Sequence, residues 1–222
     1  MYQNLLFDLD GTLTDPGIGI TNSVSYALEQ YGIKVKDRSQ LYPFIGPPLR
    51  DSFEEFYGFS KEDAEMAVTY YREYYKEKGI FENQLYDGIP QLLQSLCDAG
   101  IRLFVATSKP ECFAVRILEH FSIQQYFTYV AGSCLDGTRS GKDEVIAYAL
   151  KAGNIQDPAS AMMIGDRSYD ITGAKKNGLA SVGVLFGYGS RQELEEAGAD
   201  FIAACPQDIY PLVLTAGGGA GQ

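Results

Sequence analysis

The stretch NLLFDLDGTLTD, residues 4–15, carries a short apolar run directly into a pair of aspartates. The run predicts a buried strand, and Asp8, Asp10 and Gly11 after it predict a sharply turned acidic loop. Two carboxylates held this close repel each other, so the arrangement is costly unless a cation neutralises them or one carboxyl keeps its proton. Either solution indicates chemistry at the end of this strand.

Two structural interpretations of the acidic loop compete with a functional one. Asp-Gly pairs are common turn formers, so an isolated Asp-x-Asp-Gly can simply end a strand. An EF-hand calcium loop that starts at Asp8 would need glycine at its sixth position and glutamate at its twelfth, where this chain has Leu13 and Gly19. The calcium-loop interpretation therefore fails, and the rest of the chain must decide between a plain turn and a site.

Length and charge bound the possible functions. The 222 residues suffice for one large domain, or for a domain with a smaller insertion. A net charge of -11 and an isoelectric point near 4.5 argue against a broad basic surface that binds a nucleic-acid polymer. A small anionic substrate remains possible if a local cation receives it.

Cysteine usage and the N-terminal sequence indicate the compartment. The cysteines are widely spaced, with no C-x-x-C pair and no nearby histidines that could complete a zinc site, so a reduced protein is the simplest interpretation. They are Cys97, Cys112, Cys134 and Cys205. Neither a signal-peptide pattern nor a membrane-length apolar run is visible. We therefore expect a cytoplasmic protein without a membrane anchor, and the sequence leaves its oligomeric state open.

The order of predicted elements indicates the fold class. A helical block, residues 16–82, follows the first strand, and its helix over residues 61–78 carries tyrosines four apart, which predicts a packed face. From Tyr86 onward, helices alternate with strands predicted at residues 101–106, 126–133, 161–165 and 180–186. The alternation predicts an α/β fold with a doubly wound parallel sheet. The Gly-rich residues 216–222 predict a flexible tail.

Polar side chains follow three of the predicted strands. Since ligands bind beyond the carboxyl ends of parallel strands, these side chains should meet at one edge of the sheet. They are Asp8 and Asp10, Thr107 and Ser108, and Asp166 and Asp170. The aspartates offer the oxygen ligands that Mg²⁺ prefers. Thr107 and Lys142 offer a hydroxyl donor and a positive charge for a phosphate, with Lys109 as an alternative cation.

The segments FDLDGTLTD, VATSK and GDRSYD, together with Lys142, resemble the motifs of the haloacid dehalogenase superfamily in their order and approximate spacing. The resemblance covers residues 4 to about 185. It implies a Rossmann-like core formed by residues 1–15 and 83–215, with residues 16–82 inserted as a helical cap.

The resemblance also implies a role for each site residue. Asp8 would be the nucleophile that forms an aspartyl-phosphate, and Asp10 would be the general acid that later activates water. Thr107, Ser108 and Lys142 would bind the phosphoryl oxygens.

The same resemblance implies a magnesium site. Mg²⁺ would lie between Asp8, the main-chain carbonyl of Asp10 and Asp166, and Asp170 would be an outer or alternative ligand. The partner would be a small phosphorylated metabolite.

Single positions separate the reactions of the superfamily. Dehalogenases resemble this chain but lack an acid at the position of Asp10. Sugar phosphomutases of the β-phosphoglucomutase type usually carry a histidine at the start of the cap, whereas the chain has only His120, for which a packing role on a core helix is expected. Hydrolysis therefore leads, with the mutase as the alternative and a non-hydrolytic phosphoacceptor module as the alternative from another class.

The segments FIGPPLRDSF and LYDGI narrow the resemblance to phosphoglycolate phosphatase-like and 5′-nucleotidase-like proteins. Because the core site would recognise only phosphate, the cap would contribute specificity. Arg50 is the candidate for contacting the leaving group, and a surface arginine at a helix start is an equally good interpretation.

Overall fold

The chain folds into two units, which are described separately. A computed structural model describes residues 2–136 and 138–215, so the predicted tail at 216–222 lies outside the described residues. One unit joins Met1–Thr14 to Leu85–Gln222, and the other comprises Asp15–Gln84.

A six-stranded parallel sheet forms the centre of the first unit, in the order β5-β4-β1-β6-β7-β8. Its strands are β1 (Asn4–Phe7), β4 (Arg102–Pro110), β5 (Phe127–Ser133), β6 (Ala161–Gly165), β7 (Ala180–Val184) and β8 (Phe201–Ala203). Two further short strands are β2 (Thr14–Asp15) and β3 (Gln84–Leu85). The predicted doubly wound α/β fold is confirmed.

Helices accompany the sheet strands along the chain. They are α4 (Ile89–Asp98), α5 (Glu111–His120), α6 (Lys142–Ala152), α7 (Ser168–Lys176), α8 (Arg191–Ala197) and α9 (Ile209–Thr215). Turns of 3-10 helix cover Gln124–Tyr126, Pro158–Ser160 and Pro206–Asp208. Each connection of this kind lets the next strand run parallel to the one before it.

The first strand lies in the middle of the sheet, which explains its uniformly apolar sequence. Leu6 pairs with Phe104 on β4 and with Met163 on β6, and these three side chains pack against α6 and α7. Leu5 and Phe7 point to the opposite face, since side chains alternate along a strand, and they are also fully buried. A strand that is covered on both faces needs apolar residues at every position.

Two strand boundaries differ from the prediction. The strand expected at residues 101–106 continues to Pro110, because a register shift after Ala106 lets Pro110 pair with Ser133 on β5. The strand expected at residues 180–186 ends at Val184. In both cases the neighbouring strand, which the local pattern does not contain, decides where pairing ends.

The second unit is helical. Its helices are α1 (Gly17–Glu29), α2 (Leu49–Tyr57) and α3 (Lys61–Glu77), with 3-10 turns at Arg38–Phe44 and Gly79–Phe81. Tyr71 and Tyr75 on α3 are buried and stack with ring centroids 5.2 Å apart, so the predicted packed tyrosine face is confirmed. Aromatic side chains also join α2 to the first 3-10 turn, where the rings of Phe44 and Phe53 lie 5.0 Å apart.

Candidate active site

The turn after β1 places the first two aspartates. The backbone N–H of Asp8 donates to the carbonyl of Ile164 on β6 at 2.9 Å, so the chain is still held by the sheet at this residue. Gly11 then adopts a φ of +83°, a backbone conformation that side chains other than glycine rarely take. Its N–H donates to the carbonyl of Thr14 at 2.7 Å and closes the turn. Asp8 and Asp10 are thereby buried at the carboxyl edge of the sheet.

The aspartates that follow β6 meet Asp8 at this edge. Carboxylate oxygens of Asp8, Asp166 and Asp170 lie within 4.8 Å of one another, and all three side chains are buried. Asp170 accepts a hydrogen bond from the backbone N–H of Arg167 at 3.1 Å, which ties its position to the start of α7. The parallel sheet thus brings together residues that are more than 150 positions apart in sequence.

Lys142 bridges two aspartates of the cluster. Its Nζ lies 2.8 Å from Oδ1 of Asp8 and 2.8 Å from Oδ1 of Asp170, and it donates a hydrogen bond to the carbonyl of Ala106 at 3.1 Å. Burial alone would lower the pKa of Lys142, but the charges of Asp170 and Asp8 outweigh burial and hold the pKa above its ordinary value. The ammonium is therefore charged at neutral pH.

A second cation belongs to the same site. Nζ of Lys109 lies 2.6 Å from Oδ2 of Asp10, and both side chains are nearly buried. Thr107, which is buried on β4, accepts a hydrogen bond from the backbone N–H of Lys109 at 3.2 Å. Ser108 between them is half-buried. The structure therefore gives the two lysines different carboxylate partners, Asp10 for Lys109 and Asp8 with Asp170 for Lys142.

The buried carboxylates outnumber the buried ammonium groups. Burial raises the pKa of Asp10, although the charge of Lys109 opposes the rise. Burial also raises the pKa of Asp166 well above its usual range, and the neighbouring carboxylates add to the rise. For Asp170 burial raises the pKa to about 6 in spite of the nearby ammonium of Lys142. Four buried carboxylates thus share two ammonium groups, and full ionisation of all four is costly unless a further cation is present.

This donor set fits a divalent hard cation. Oxygen donors at short separation, in carboxylates that outnumber the neighbouring ammonium groups, suit Mg²⁺ better than a soft metal. One ligand atom is also poised for a cation: Oδ1 of Asp166 is fully buried, and no described residue gives it a hydrogen bond. A buried carboxylate oxygen of this kind is costly unless something else satisfies it.

Two further residues singled out from the sequence belong to the helices α2 and α5. Arg50 belongs to the second unit, where its side chain is 55 % exposed and lies 3.7 to 3.8 Å from carboxylates of three acidic residues, Asp51, Glu54 and Glu65. His120 is exposed in the last turn of α5, with its ring 4.9 Å from that of Phe121. The packing role expected of His120 is therefore seen as a ring contact at the surface of the helix and not in the core.

Sequence reasoning missed the loop after β7. The backbone N–H of Tyr188 donates to Oδ2 of Asp166 at 2.8 Å, and Gly187 and Gly189 on either side approach the same residue closely. A usable signal existed, since a Gly-x-Gly that follows a parallel strand lies at the edge where ligands bind. The signal was overlooked because these residues carry no side chain of obvious chemistry beyond that of Tyr188.

The structure also bears on membrane association. Among the residues that it describes, no helix combines the length and the apolar character that a membrane span requires.

Comparisons with known proteins agree with this geometry. The model of the family described as haloacid dehalogenase-like hydrolase matches residues 5–184. A 5′-nucleotidase of Pseudomonas aeruginosa is 48% identical over 87% of each chain. A phosphoglycolate phosphatase of Colwellia psychrerythraea is 29% identical over 87% of this chain and 89% of its own.

Two further proteins resemble this chain, and one is named as a kinase and the other as a phosphatase. A protein of Mycobacterium tuberculosis named as the tyrosine-protein kinase PtkA is 44% identical over 84% of this chain and 63% of its own length. The crystal structure of a predicted phosphatase from Clostridium acetobutylicum has a TM-score of 0.94 at 51% identity, over 96% of this chain and 99% of that one. The matched region contains the complete acidic site, and the chain is accordingly a member of the haloacid dehalogenase-like hydrolase family.

Proposed function

We propose that the protein is a Mg²⁺-dependent phosphatase that hydrolyses a small phosphomonoester. One observation carries the proposal: the carboxylate of Asp8 is buried at a strand end beside two further carboxylates and the ammonium of Lys142. A carboxylate can attack phosphorus only where cations offset the repulsion between the two anions. The likeness to proteins named as phosphatases and as a 5′-nucleotidase supports the same reaction.

Asp8 is the residue that we assign to attack. Its Oδ1 accepts a hydrogen bond from the backbone N–H of Leu9 at 2.7 Å and lies 2.8 Å from the ammonium of Lys142. Oδ2 is thus the oxygen that would bond to phosphorus, which gives an aspartyl-phosphate and expels the alcohol as its alkoxide. Lys142 would then contact the phosphoryl oxygens as well as Asp8.

Asp10 is the residue that we assign to proton transfer. Burial raises the pKa of its carboxyl, which favours a bound proton that the leaving alkoxide can take. Asp10 would then accept a proton from the water that hydrolyses the aspartyl-phosphate, and the carboxyl would return to its starting state. Lys109, at 2.6 Å, stabilises the charged form between these two transfers.

The proposed metal ligands are those that the family resemblance implies, and the acidic cluster of Asp8, Asp166 and Asp170 supports them. Mg²⁺ would be held by Asp8, by Asp166 and by the main-chain carbonyl of Asp10, with Asp170 as an outer or alternative ligand. When bound, the ion would neutralise charge on the phosphoryl group and on Asp8. Thr107 and Ser108 on β4 would supply hydroxyl donors to the phosphoryl oxygens.

The second unit is proposed to act as the cap that selects the leaving group. The core carries the residues that we assign to the phosphoryl group, so discrimination among phosphomonoesters must come from elsewhere. Arg50 remains the candidate, because a guanidinium can contact a carboxylate or a second phosphate of a substrate. A cytoplasmic location and a small phosphorylated metabolite as partner also remain proposals.

A panel of substrates tests the function directly. Phosphate release is measured with nucleoside monophosphates, 2-phosphoglycolate, sugar phosphates, pyrophosphate and an aryl phosphate, in Mg²⁺ and in EDTA. We expect Mg²⁺-dependent turnover that Asp8→Asn abolishes, whereas Asp98→Asn, an exposed change on α4 of the same unit, should leave it intact. Equal turnover in EDTA, or an active and folded Asp8→Asn variant, would contradict the proposal.

A second candidate is phosphoryl transfer to a tyrosine hydroxyl, which the name of the mycobacterial relative favours. Incubation with ATP and Mg²⁺, followed by detection of phosphotyrosine, separates this function from hydrolysis. The two alternatives that the sequence left open are separated by products. A mutase isomerises a sugar phosphate without net phosphate release, and a phosphoacceptor module takes up one phosphoryl group and does not turn over.

A further inference from the structure

The loop that follows β7 has no role in the proposed chemistry, yet it contacts a metal-binding carboxylate. We call residues 187–190, with the sequence GYGS, the GYGS loop. The backbone N–H of Tyr188 in this loop donates to Oδ2 of Asp166 at 2.8 Å. Because the donor is a main-chain group, the hydrogen bond depends on the path of the loop and not on the tyrosine side chain.

Both glycines of the loop are required by space. A Cβ built on Gly187 would overlap the Cβ of Asp166 and the carbonyl oxygen of Gly11, and it would lie 2.6 Å from Oδ2 of Asp166. A Cβ built on Gly189 would overlap the carbonyl oxygen of Asp166. The overlapping atoms are two carbonyl oxygens and the Cβ of Asp166, which belong to the backbone or to the base of a side chain. They cannot rotate out of the way, as the end of a flexible side chain could.

The contacts leave Asp166 in one orientation. Gly187 and Gly11 both lie close to its carboxylate, and a Cβ built on Gly11 would overlap Oδ2 and Cγ of Asp166. The backbone N–H of Tyr188 donates a hydrogen bond to Oδ2 of Asp166, and no described residue donates one to the buried Oδ1. Oδ1 is therefore the oxygen that stays available to a cation.

We propose that the GYGS loop is the positioning element for the metal ligand Asp166, with Gly187 and Gly189 as positioning residues. The inference rests on the proposed function only in that Asp166 binds Mg²⁺. Groups that orient a metal ligand from behind contribute to metal affinity, and their loss costs about 10- to 100-fold. A methyl group at either glycine displaces the loop, the amide of Tyr188 and the carboxylate together.

The test measures Mg²⁺ binding without substrate. Protein freed of metal with EDTA is titrated with MgCl₂ in a calorimeter, and thermal unfolding confirms that each variant is folded. We expect Gly187→Ala to bind Mg²⁺ about 10- to 100-fold more weakly than the wild type. Gly189→Ala should show the same loss, and it decides the question if Gly187→Ala does not fold.

Gly183→Ala is the matched control. This glycine lies on β7 shortly before the loop, and a Cβ there would lie 2.9 Å from Leu194 and 3.1 Å from Ile202, away from the acidic cluster. The control should lose stability and keep its Mg²⁺ affinity. A folded Gly187→Ala or Gly189→Ala variant with wild-type affinity would overturn the inference, as would an equal loss of affinity in Gly183→Ala.

The titration also separates this inference from the proposed function. A wild-type protein that binds Mg²⁺ and hydrolyses no phosphomonoester would overturn the proposed function alone. A wild-type protein that binds no Mg²⁺ would overturn both.

Discussion

Lys142→Met should destabilise the protein far more than the loss of an ordinary ion pair. The ammonium of Lys142 lies 2.8 Å from Asp8 and 2.8 Å from Asp170, and its side chain is 5% exposed. Methionine has a similar length and shape, so the substitution removes the charge and leaves most of the packing. Two buried carboxylates then lose their counter-charge.

The expected cost follows from the burial of the pair. Removal of one partner from a buried ion pair costs about 3–5 kcal/mol, because the remaining charge is left without water or a counter-ion. For a protein of this size, 1 kcal/mol corresponds to about 2–4 °C in Tm. We therefore expect Tm to fall by about 6–20 °C. The measurement belongs at pH 8 or above in EDTA, because burial raises the pKa of Asp170 and the loss of Lys142 removes a charge that lowers it, so protonation of Asp170 at lower pH would relieve the repulsion.

Lys176→Met is the matched control for this prediction. Nζ of Lys176 lies 3.0 Å from Oδ2 of Asp143, a comparable distance, but the lysine side chain is 66% exposed. Exposed pairs contribute about 0–1 kcal/mol, so Tm should change by a few degrees at most. Thermal and urea unfolding of both variants give the comparison. Equal destabilisation by the two substitutions would refute the argument that burial decides the cost.

Further predictions concern catalysis and two hydrogen-bonded groups. Asp10→Asn should reduce turnover of alkyl phosphates by about 10²- to 10⁴-fold, with a smaller loss on an aryl phosphate, whose leaving group needs no proton; an equal loss on both would count against the acid role. The hydroxyl of Tyr129 lies 2.7 Å from that of Tyr148, and this hydrogen bond, together with burial, raises the pKa of Tyr129 to about 12. Its contribution to stability is therefore present below pH 10 and is lost as pH rises towards 12; in Tyr148→Phe, NMR titration should find the pKa of Tyr129 closer to 10, and an unchanged value would contradict the assignment. Glu193 accepts hydrogen bonds at 2.9 Å from Nε of Arg167 and from the backbone N–H of Ser168. Burial alone would raise the pKa of Glu193, but these hydrogen bonds and the charge of Arg167 lower it. Glu193→Ala should cost about 1–3 kcal/mol at neutral pH, and the difference from wild type should shrink as pH falls below about 4.5; a pH-independent difference would show that the charge of Glu193 is not responsible.

Local patterns predicted much of this molecule because its elements follow simple rules. An apolar run that ends in Asp8 is a strand covered on both faces, and the sheet has it at the centre. The tyrosines four apart on α3 do form a packed face. Such features depend on the periodicity of single elements, which can be read without knowledge of what lies beside them.

Other features depend on a neighbour that no local pattern contains. The extension of β4 to Pro110 requires the register of β5. The exposure of His120 depends on how α5 lies against the sheet. The partners of the two site lysines could not be assigned from sequence, since the separations of Lys109 from Asp10 and of Lys142 from Asp8 depend on the packing of the strands and helices that carry them.

The sequence by itself determined the parallel α/β fold and the set of acids and lysines at one sheet edge, because alternation of elements and polar residues after strands are local properties of a chain. Only the tertiary structure decided that two glycines crowd the carboxylate of Asp166, and that a distant amide donates to one of its oxygens while no described residue hydrogen-bonds the other. The physical reason is close packing: whether an atom has room for a neighbour depends on every segment that reaches it, and those segments are far apart in sequence.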